Sequence, residues 1–289
     1  MRQRDTLHRF VFEHFPVRGE IAHLDATWRT VLERRSYPSP VRQVLGEALA
    51  ATALLHATIK FNGLLTLQMQ GDGPLYLVVV QCTSAGNLRA LARWRGAVPE
   101  QKLAGLMGAG TLTITLDPAE GERYQGIVEL GGITLTAALE RYFEQSEQLP
   151  TRLRLASDEY GAAGMLLQRL PGELPEADTW NRIEMLGASL SAPELLTLNA
   201  KDILHRLFNE DDVRLFSAQS IGFRCTCSRE RTGAMLTALG QEEVRAIIAE
   251  QGQVEVKCEF CGQNYRFDAV DAAGLFAHSA PAPGSETRH

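Results

Sequence analysis

The sequence predicts an α+β protein, and three observations predict it. Short stretches of alternating apolar and polar residues follow one another through the first half, joined by tight turns. An Ala- and Leu-rich run over residues 41–58 has helical spacing. Four of the five cysteines fall into two close pairs near the C-terminal end, which marks a separate small module. Consecutive strands with short connections imply an antiparallel sheet with helices packed on it. The expected organisation is an N-terminal α+β domain over 1–171, a helical linker over 172–224, a Cys₄ module over 225–278 and a disordered tail over 279–289.

Val11, Phe15, Val17 and Ile21 suit a first strand, interrupted by Pro16 and Gly19, and residues 22–32 have helical spacing. Tyr37, Pro38, Ser39 and Pro40 reset the chain. The helix over 41–58 places Val44, Leu45, Ala48, Leu49, Leu55 and Ile59 at helical intervals and is apolar enough to be buried. Residues 64–70 alternate as a half-buried strand, 71–74 form a hairpin turn, and 75–80 return. Residues 88–95, 111–116 and 124–130 supply further strands. Residues 133–147 read as a helix, 153–155 as an edge strand, and Ser157 as the N-cap of a helix reaching Leu170. In the linker, Trp180, Ile183, Met185 and Leu186 suit one helix, Pro193 opens a second and Asn199 caps a third. Ile203, Leu204, Leu207 and Phe208 form one apolar stripe on that third helix. Such short helices are marginal alone, so their apolar faces need cover from the first domain or from the module.

Gly105, Gly108 and Gly110 do not form a phosphate loop, because Lys-Ser/Thr is missing and a strand follows instead of a helix. No nucleophile elbow or His-Glu-x-x-His pair is present, and the seven histidines are scattered. Hydrophobic content of 45% supports a sizeable core. The net charge of −6 argues against a dominant role on nucleic acid. No run approaches the length of a membrane span, and the reading is a soluble, cytoplasmic, non-enzymatic protein without membrane or nucleic-acid partners.

Cys225 and Cys227 are separated by one residue, Cys258 and Cys261 by two, and thirty residues lie between the pairs. Four thiolates satisfy one tetrahedral Zn²⁺, and two close pairs joined by a loop are the usual way to build such a site. Four unrelated buried thiols would not fall into this pattern, and a long chain with so few cysteines is no disulfide framework. Cys82, after an apolar run, reads as a core thiol. Ser228 caps a helix over 229–239, residues 242–250 form another, and Val254 and Val256 pair with Tyr265 and Phe267 in a hairpin turned by Gly262. So small a core leans on its metal.

The pattern Cys225-x-Cys227, thirty residues, Cys258-x-x-Cys261, after a helical linker and an α+β domain, resembles the bacterial redox-regulated heat-shock holdases, the thirty-three-kilodalton heat-shock protein family. Residues 124–128 (Tyr-Gln-Gly-Ile-Val) and 145–151 (Gln-Ser-Glu-Gln-Leu-Pro-Thr) support the match. The resemblance implies an ATP-independent chaperone, silent while reduced and holding one zinc ion per chain. Oxidation is then expected to release zinc, unfold the module, loosen the linker and activate binding of unfolding clients under oxidative and heat stress. Homodimers in the oxidised state and onward transfer of clients to ATP-driven chaperones are implied as well. Each cysteine pair holds its own resolving partner, so the expected disulfides are Cys225–Cys227 and Cys258–Cys261. The expected client-binding residues are Leu195, Leu196, Ile203, Leu204, Leu207 and Phe208, exposed when linker helices docked on the module lose its support. A zinc-ribbon nucleic-acid binder is the alternative. It is disfavoured by five Lys or Arg against seven Asp or Glu between Cys225 and Asp268. A catalytic zinc is disfavoured because four cysteines leave no open position.

Overall fold

The computed structural model describes residues 5–59 and 61–277. The described residues divide into two compact units, one ending at Arg224 and the other beginning at Cys225. The expected tail over 279–289 lies outside the described residues.

In the first unit, β1 (Asp5–Phe12) and β2 (Val17–Leu24) make a hairpin, followed by α1 (Ala26–Arg34) and α2 (Ser39–Thr58). Next come β3 (Gly63–Gly71), β4 (Leu75–Thr83), β5 (Asn87–Trp94), α3 (Leu103–Met107), β6 (Gly110–Pro118) and β7 (Tyr124–Glu129). A helix α4 (Leu135–Tyr142), prolonged by a π turn over Phe143–Glu147, leads to β8 (Thr151–Ser157) and β9 (Ala162–Arg169). Three short helices follow: α5 (Thr179–Ala188), α6 (Ala192–Thr197) and α7 (Ala200–Phe208). The unit ends in three short strands, β10 (Val213–Leu215), β11 (Gln219–Ser220) and β12 (Gly222–Phe223).

Among the described residues these strands form two sheets. One has the order β10-β1-β2-β9-β8, with β11 also pairing β1; the other has the order β12-β5-β4-β3-β6-β7. All pairings in this unit are antiparallel except the short β12–β5 contact. Helix α2 lies between the sheets and packs on both. Ala48, Leu49, Ala50, Ala51, Ala53, Leu54 and Leu55 are fully buried there, which explains why the helix is apolar all round instead of striped.

The second face of the β1-β2-β9-β8 sheet carries Phe10, Phe12, Val17, Ile21, Met165 and Leu167. Trp180, Ile183, Leu195, Ile203, Leu204, Leu207 and Phe208 from α5 to α7 complete that core. The linker helices therefore have their apolar support on the first sheet. Of the two covers expected for them, the first domain supplies this one, because an extended sheet face offers a large complementary apolar surface.

Three local expectations also change. Pro16 does break the first strand, but Gly19 sits inside β2, opposite Phe10. A Cβ at Gly19 would lie 2.2 Å from the Phe10 ring, so the glycine makes room for that aromatic. Residues 22–24 finish β2, and the helix begins only at Ala26. The helix expected from Ser157 to Leu170 is the β8–β9 hairpin. In the hairpin turn, Asp158 Oδ1 accepts from the N–H groups of Tyr160 and Gly161.

The second unit contains α8 (Arg229–Leu239), α9 (Gln241–Gln251), the hairpin β13 (Val254–Lys257) and β14 (Asn264–Phe267), and α10 (Ala269–Ala277). Its core is small: Leu236, Val244, Val254, Phe267 and Ala272, with Ile247, Ile248, Val256, Tyr265, Leu275 and Phe276 around them.

Candidate metal and redox centre

Cys225 and Cys227 lie in an extended stretch immediately before α8, which starts at the Ser228 cap. Ser228 Oγ accepts from Arg231 N–H, and the Arg231 guanidinium donates to the Thr226 carbonyl, so the x residue of the first pair is tied to the helix start. Cys258 and Cys261 sit on the turn between β13 and β14. There the Gly262 N–H donates to Cys258 O at 2.7 Å and Cys258 N–H donates to Gln263 O at 2.9 Å. Gly262 has φ +75°, a left-handed conformation that glycine adopts without steric cost.

These two loops bring all four sulfurs within 4.8 Å of one another. Cys225 Sγ is 3.7 Å from Cys258 Sγ, and Cys227 Sγ is 3.3 Å from Cys261 Sγ. A tetrahedral zinc with Zn–S near 2.3 Å has sulfur–sulfur edges of roughly 3.8 Å. The donor set and its spacing fit that ion: four soft, half-buried sulfur ligands, the number that fills a tetrahedral shell. Burial raises the Cys258 thiol above its ordinary pKa and pushes Cys261 up to about 12, reinforced at Cys261 by hydrogen bonds with the neighbouring sulfurs. A cation acts in the opposite sense, since it must displace these protons to bind.

The sulfurs also have polar partners. Backbone N–H groups of Cys261 and Phe260 serve Cys258, and that of Gln263 serves Cys261. The Tyr265 hydroxyl donates to Cys227 Sγ at 3.1 Å. Arg229 ties the module together: it donates to Arg266 O at 2.7 Å, pairs with Asp271 at 2.7 Å and stacks 4.3 Å over the Phe267 ring. Sequence patterning placed Tyr265 only as a strand residue and gave Arg229 no role. The position of Tyr265 four residues beyond Cys261, on a strand returning past the cluster, is the one signal that pointed to it. Cys82 lies apart from the cluster, fully buried in the core of the first unit, where burial pushes its thiol up to about 12.

The six expected client-binding residues are mostly covered. Leu195, Ile203, Leu204, Leu207 and Phe208 are between 0 and 6% exposed, and Leu196 is half-buried. Phe208 meets Phe12 edge-on at 5.0 Å between ring centroids. Polar contacts tie the three helices together. Ser191 and Glu194 form a capping box on α6, and Glu194 also accepts from Arg206 of α7. The Ser191 contacts, then Arg206, hold the Glu194 carboxyl down at about 2. Arg182 of α5 binds Asp211 through both nitrogens, at 2.9 and 2.6 Å. His23 on β2 makes a 2.9 Å contact with the Leu195 carbonyl. No helix among the described residues is long and apolar enough to cross a membrane.

Comparison with known proteins agrees on one family. The family model described as Hsp33 protein matches residues 5–268. A 33 kDa chaperonin of Nitrosococcus oceani is 49% identical over 289 residues, covering all of both chains. A 33 kDa chaperonin of Cronobacter sakazakii is 47% identical over 98% of each. The crystal structure of the 33 kDa chaperonin (heat shock protein 33 homolog) of Thermotoga maritima superposes with a TM-score of 0.83 at 24% identity, over 96% of this chain and 99% of the other, and so shares the fold.

Proposed function

From the premise that this chain belongs to the Hsp33 family, a family of chaperones, we propose that it is an ATP-independent, redox-regulated holdase and not an enzyme. It works in the cytoplasm, where thiols stay reduced until stress. One observation carries the reading: four sulfurs within 4.8 Å of one another, in a module whose buried core is only a handful of side chains.

Bound there, zinc would supply a cross-link between the two cysteine loops, with an apparent folding contribution of about 10–16 kcal/mol. Cys225, Cys227, Cys258 and Cys261 are its ligands in this proposal. Under peroxide, a thiolate attacks one peroxide oxygen, the O–O bond breaks and a sulfenic acid forms as hydroxide leaves. The neighbouring thiolate then attacks that sulfur, expelling a second hydroxide and closing a disulfide. Two thiolates thus give up two electrons per peroxide. Once the module has lost its cross-link and unfolded, each cysteine's nearest partner is the one beside it in sequence. Cys225–Cys227 and Cys258–Cys261 are therefore the disulfides expected, although sulfur–sulfur contacts of 3.7 and 3.3 Å in the folded cluster run between the pairs.

Activation needs the face formed by Ile203, Leu204, Leu207 and Phe208 to leave the sheet. The coupling is through the chain: a single residue, Arg224, separates β12 from Cys225. Strands β10 to β12 are short and lie on sheet edges, so they fray once the residues after them unfold. The acidic stretch after α7 and the short helices make the linker marginal without them. Uncovering the linker stripe and the Phe10–Phe12 face gives contiguous apolar surface of the kind that binds unfolding chains. Oxidised homodimers, and release of held clients to ATP-driven chaperones, belong to the same proposal.

Light scattering of a heat-denatured client, without ATP, tests it. The zinc-loaded reduced protein leaves aggregation unchanged, and the peroxide-treated protein suppresses it. Equal suppression in both states would overturn the reading.

A further inference from the structure

Three sulfurs of the cluster differ in who donates to them. Cys258 and Cys261 receive backbone N–H groups from their own turn. Cys227 receives a side-chain hydroxyl, Tyr265 Oη–H at 3.1 Å, from the returning strand of the hairpin. Tyr265 lies opposite Val256 in the β13–β14 register, and its ring packs at the edge of the module core. The ring alone would satisfy that packing; the hydroxyl adds nothing to it except the contact with sulfur.

We propose that Tyr265 is a positioning residue whose hydroxyl, by donating to Cys227 Sγ, restrains that sulfur's reactivity in the reduced cluster and so sets the threshold at which the first cysteine pair oxidises. The proposal rests on the redox-chaperone reading above. A hydrogen bond to a metal-bound thiolate withdraws charge from sulfur, and polar partners outside the ligand shell commonly change affinity or activity by about 10–100-fold when removed. In the oxidation, the Cys227 thiolate gives an electron pair to a peroxide oxygen, the O–O bond breaks, and hydroxide leaves. Cys225 then closes the disulfide and releases the second hydroxide. Losing the donor leaves more charge on the attacking sulfur, so the first of these steps speeds up.

The experiment uses full-length protein loaded with Co²⁺ or Zn²⁺, wild type beside Tyr265→Phe. Three quantities are read: the sulfur-to-cobalt charge-transfer band, the rate at which peroxide modifies Cys227 by mass spectrometry, and the thermal midpoint of the module. The expected result is a shift of the band to longer wavelength and about tenfold faster modification at Cys227, with the thermal midpoint unchanged. Fluorotyrosine at position 265, a stronger hydroxyl donor in the same shape, should move band and rate the opposite way, and it serves if the Phe variant folds poorly. Band and rate at wild-type values in both variants would overturn the proposal. Faster modification accompanied only by a lower midpoint, with no band shift, would also overturn it by making Tyr265 a packing residue. If wild type itself fails to bind one ion per chain through four thiolates, the redox-chaperone reading fails instead, and the two failures are told apart by that control.

Discussion

Ile203→Ala separates the linker's role from the metal's. Ile203 is fully buried on the sheet face that also holds Phe10, Phe12 and Met165. Removing three carbons from such a site typically costs about 2–5 kcal/mol, because the cavity relaxes only in part. The loss falls on helix α7, nine residues long, which has no stability of its own at that length. At 1.4 kcal/mol per factor of ten, a loss of about 3 kcal/mol raises the undocked population more than a hundredfold. The cysteine module is untouched by the substitution. Amide exchange should show residues 200–208 losing protection while α2 keeps its own, with zinc still bound. The reduced, zinc-loaded variant should then suppress client aggregation without oxidant. If α7 loses protection and the reduced variant still holds no client, the linker is not the cover and the reasoning fails.

Other outcomes follow from the same structure. Stripping metal with a chelator under reducing conditions should abolish amide protection across β13 and β14 while β3 and β4 keep theirs, because the two units have separate cores; retained hairpin protection would contradict this. Peptide mapping after peroxide at elevated temperature should find Cys225–Cys227 and Cys258–Cys261, and dominant cross-pair bonds would show that oxidation is completed inside the folded cluster. Glu20, buried on the α2 side of β2, has its carboxyl pushed up to about 7 by desolvation, against the opposing pull of Arg18 and Arg9. A carboxyl raised in the folded state favours folding below its ordinary value near 4.5 and loses that contribution as pH rises through about 7. Glu20→Gln should therefore unfold at higher temperature than wild type at pH 8, by an amount that shrinks to nothing below about pH 4.5; a pH-independent difference in melting would refute it.

Much of this was readable from residues alone, for reasons that differ by element. Helix α2 was legible because its composition is extreme, and the β3–β4 hairpin because Gly71, Asp72, Gly73 and Pro74 sit between an alternating run and an apolar one. The cysteine cluster was legible because metal ligation fixes spacing before it fixes structure. Strand β9 was not. Buried on both faces of the first sheet, its residues Ala162 to Leu167 show no alternation. Ala, Met, Leu and Gln there suit a helix equally well, and Asp158 caps turns as readily as helices. Helix α10 is hard to read for a related reason: Ala269 to Ala277 is short, and its start is marked by Asp268, whose Oδ1 accepts from Val270 and Asp271 N–H, and by Asp271, whose carboxylate accepts from Asp268 N–H. That the strands form two sheets around α2, with the linker helices on the far face of one, depends on long-range pairing that no local pattern encodes. Tyr265 was legible as a strand residue four positions beyond Cys261, but which sulfur its hydroxyl meets depends on how the two cysteine loops come together.

The proposed coupling between metal, sulfur and surface can be followed in one titration. Reduced protein is treated with increasing peroxide at elevated temperature, and each sample is split for released zinc, free thiols and client protection. The prediction is one zinc and five thiols per chain at the start, four thiols lost together with the zinc, buried Cys82 still reduced, and protection rising in step. Zinc retained after all four clustered cysteines are oxidised, or protection already complete before the first thiol is lost, would contradict it.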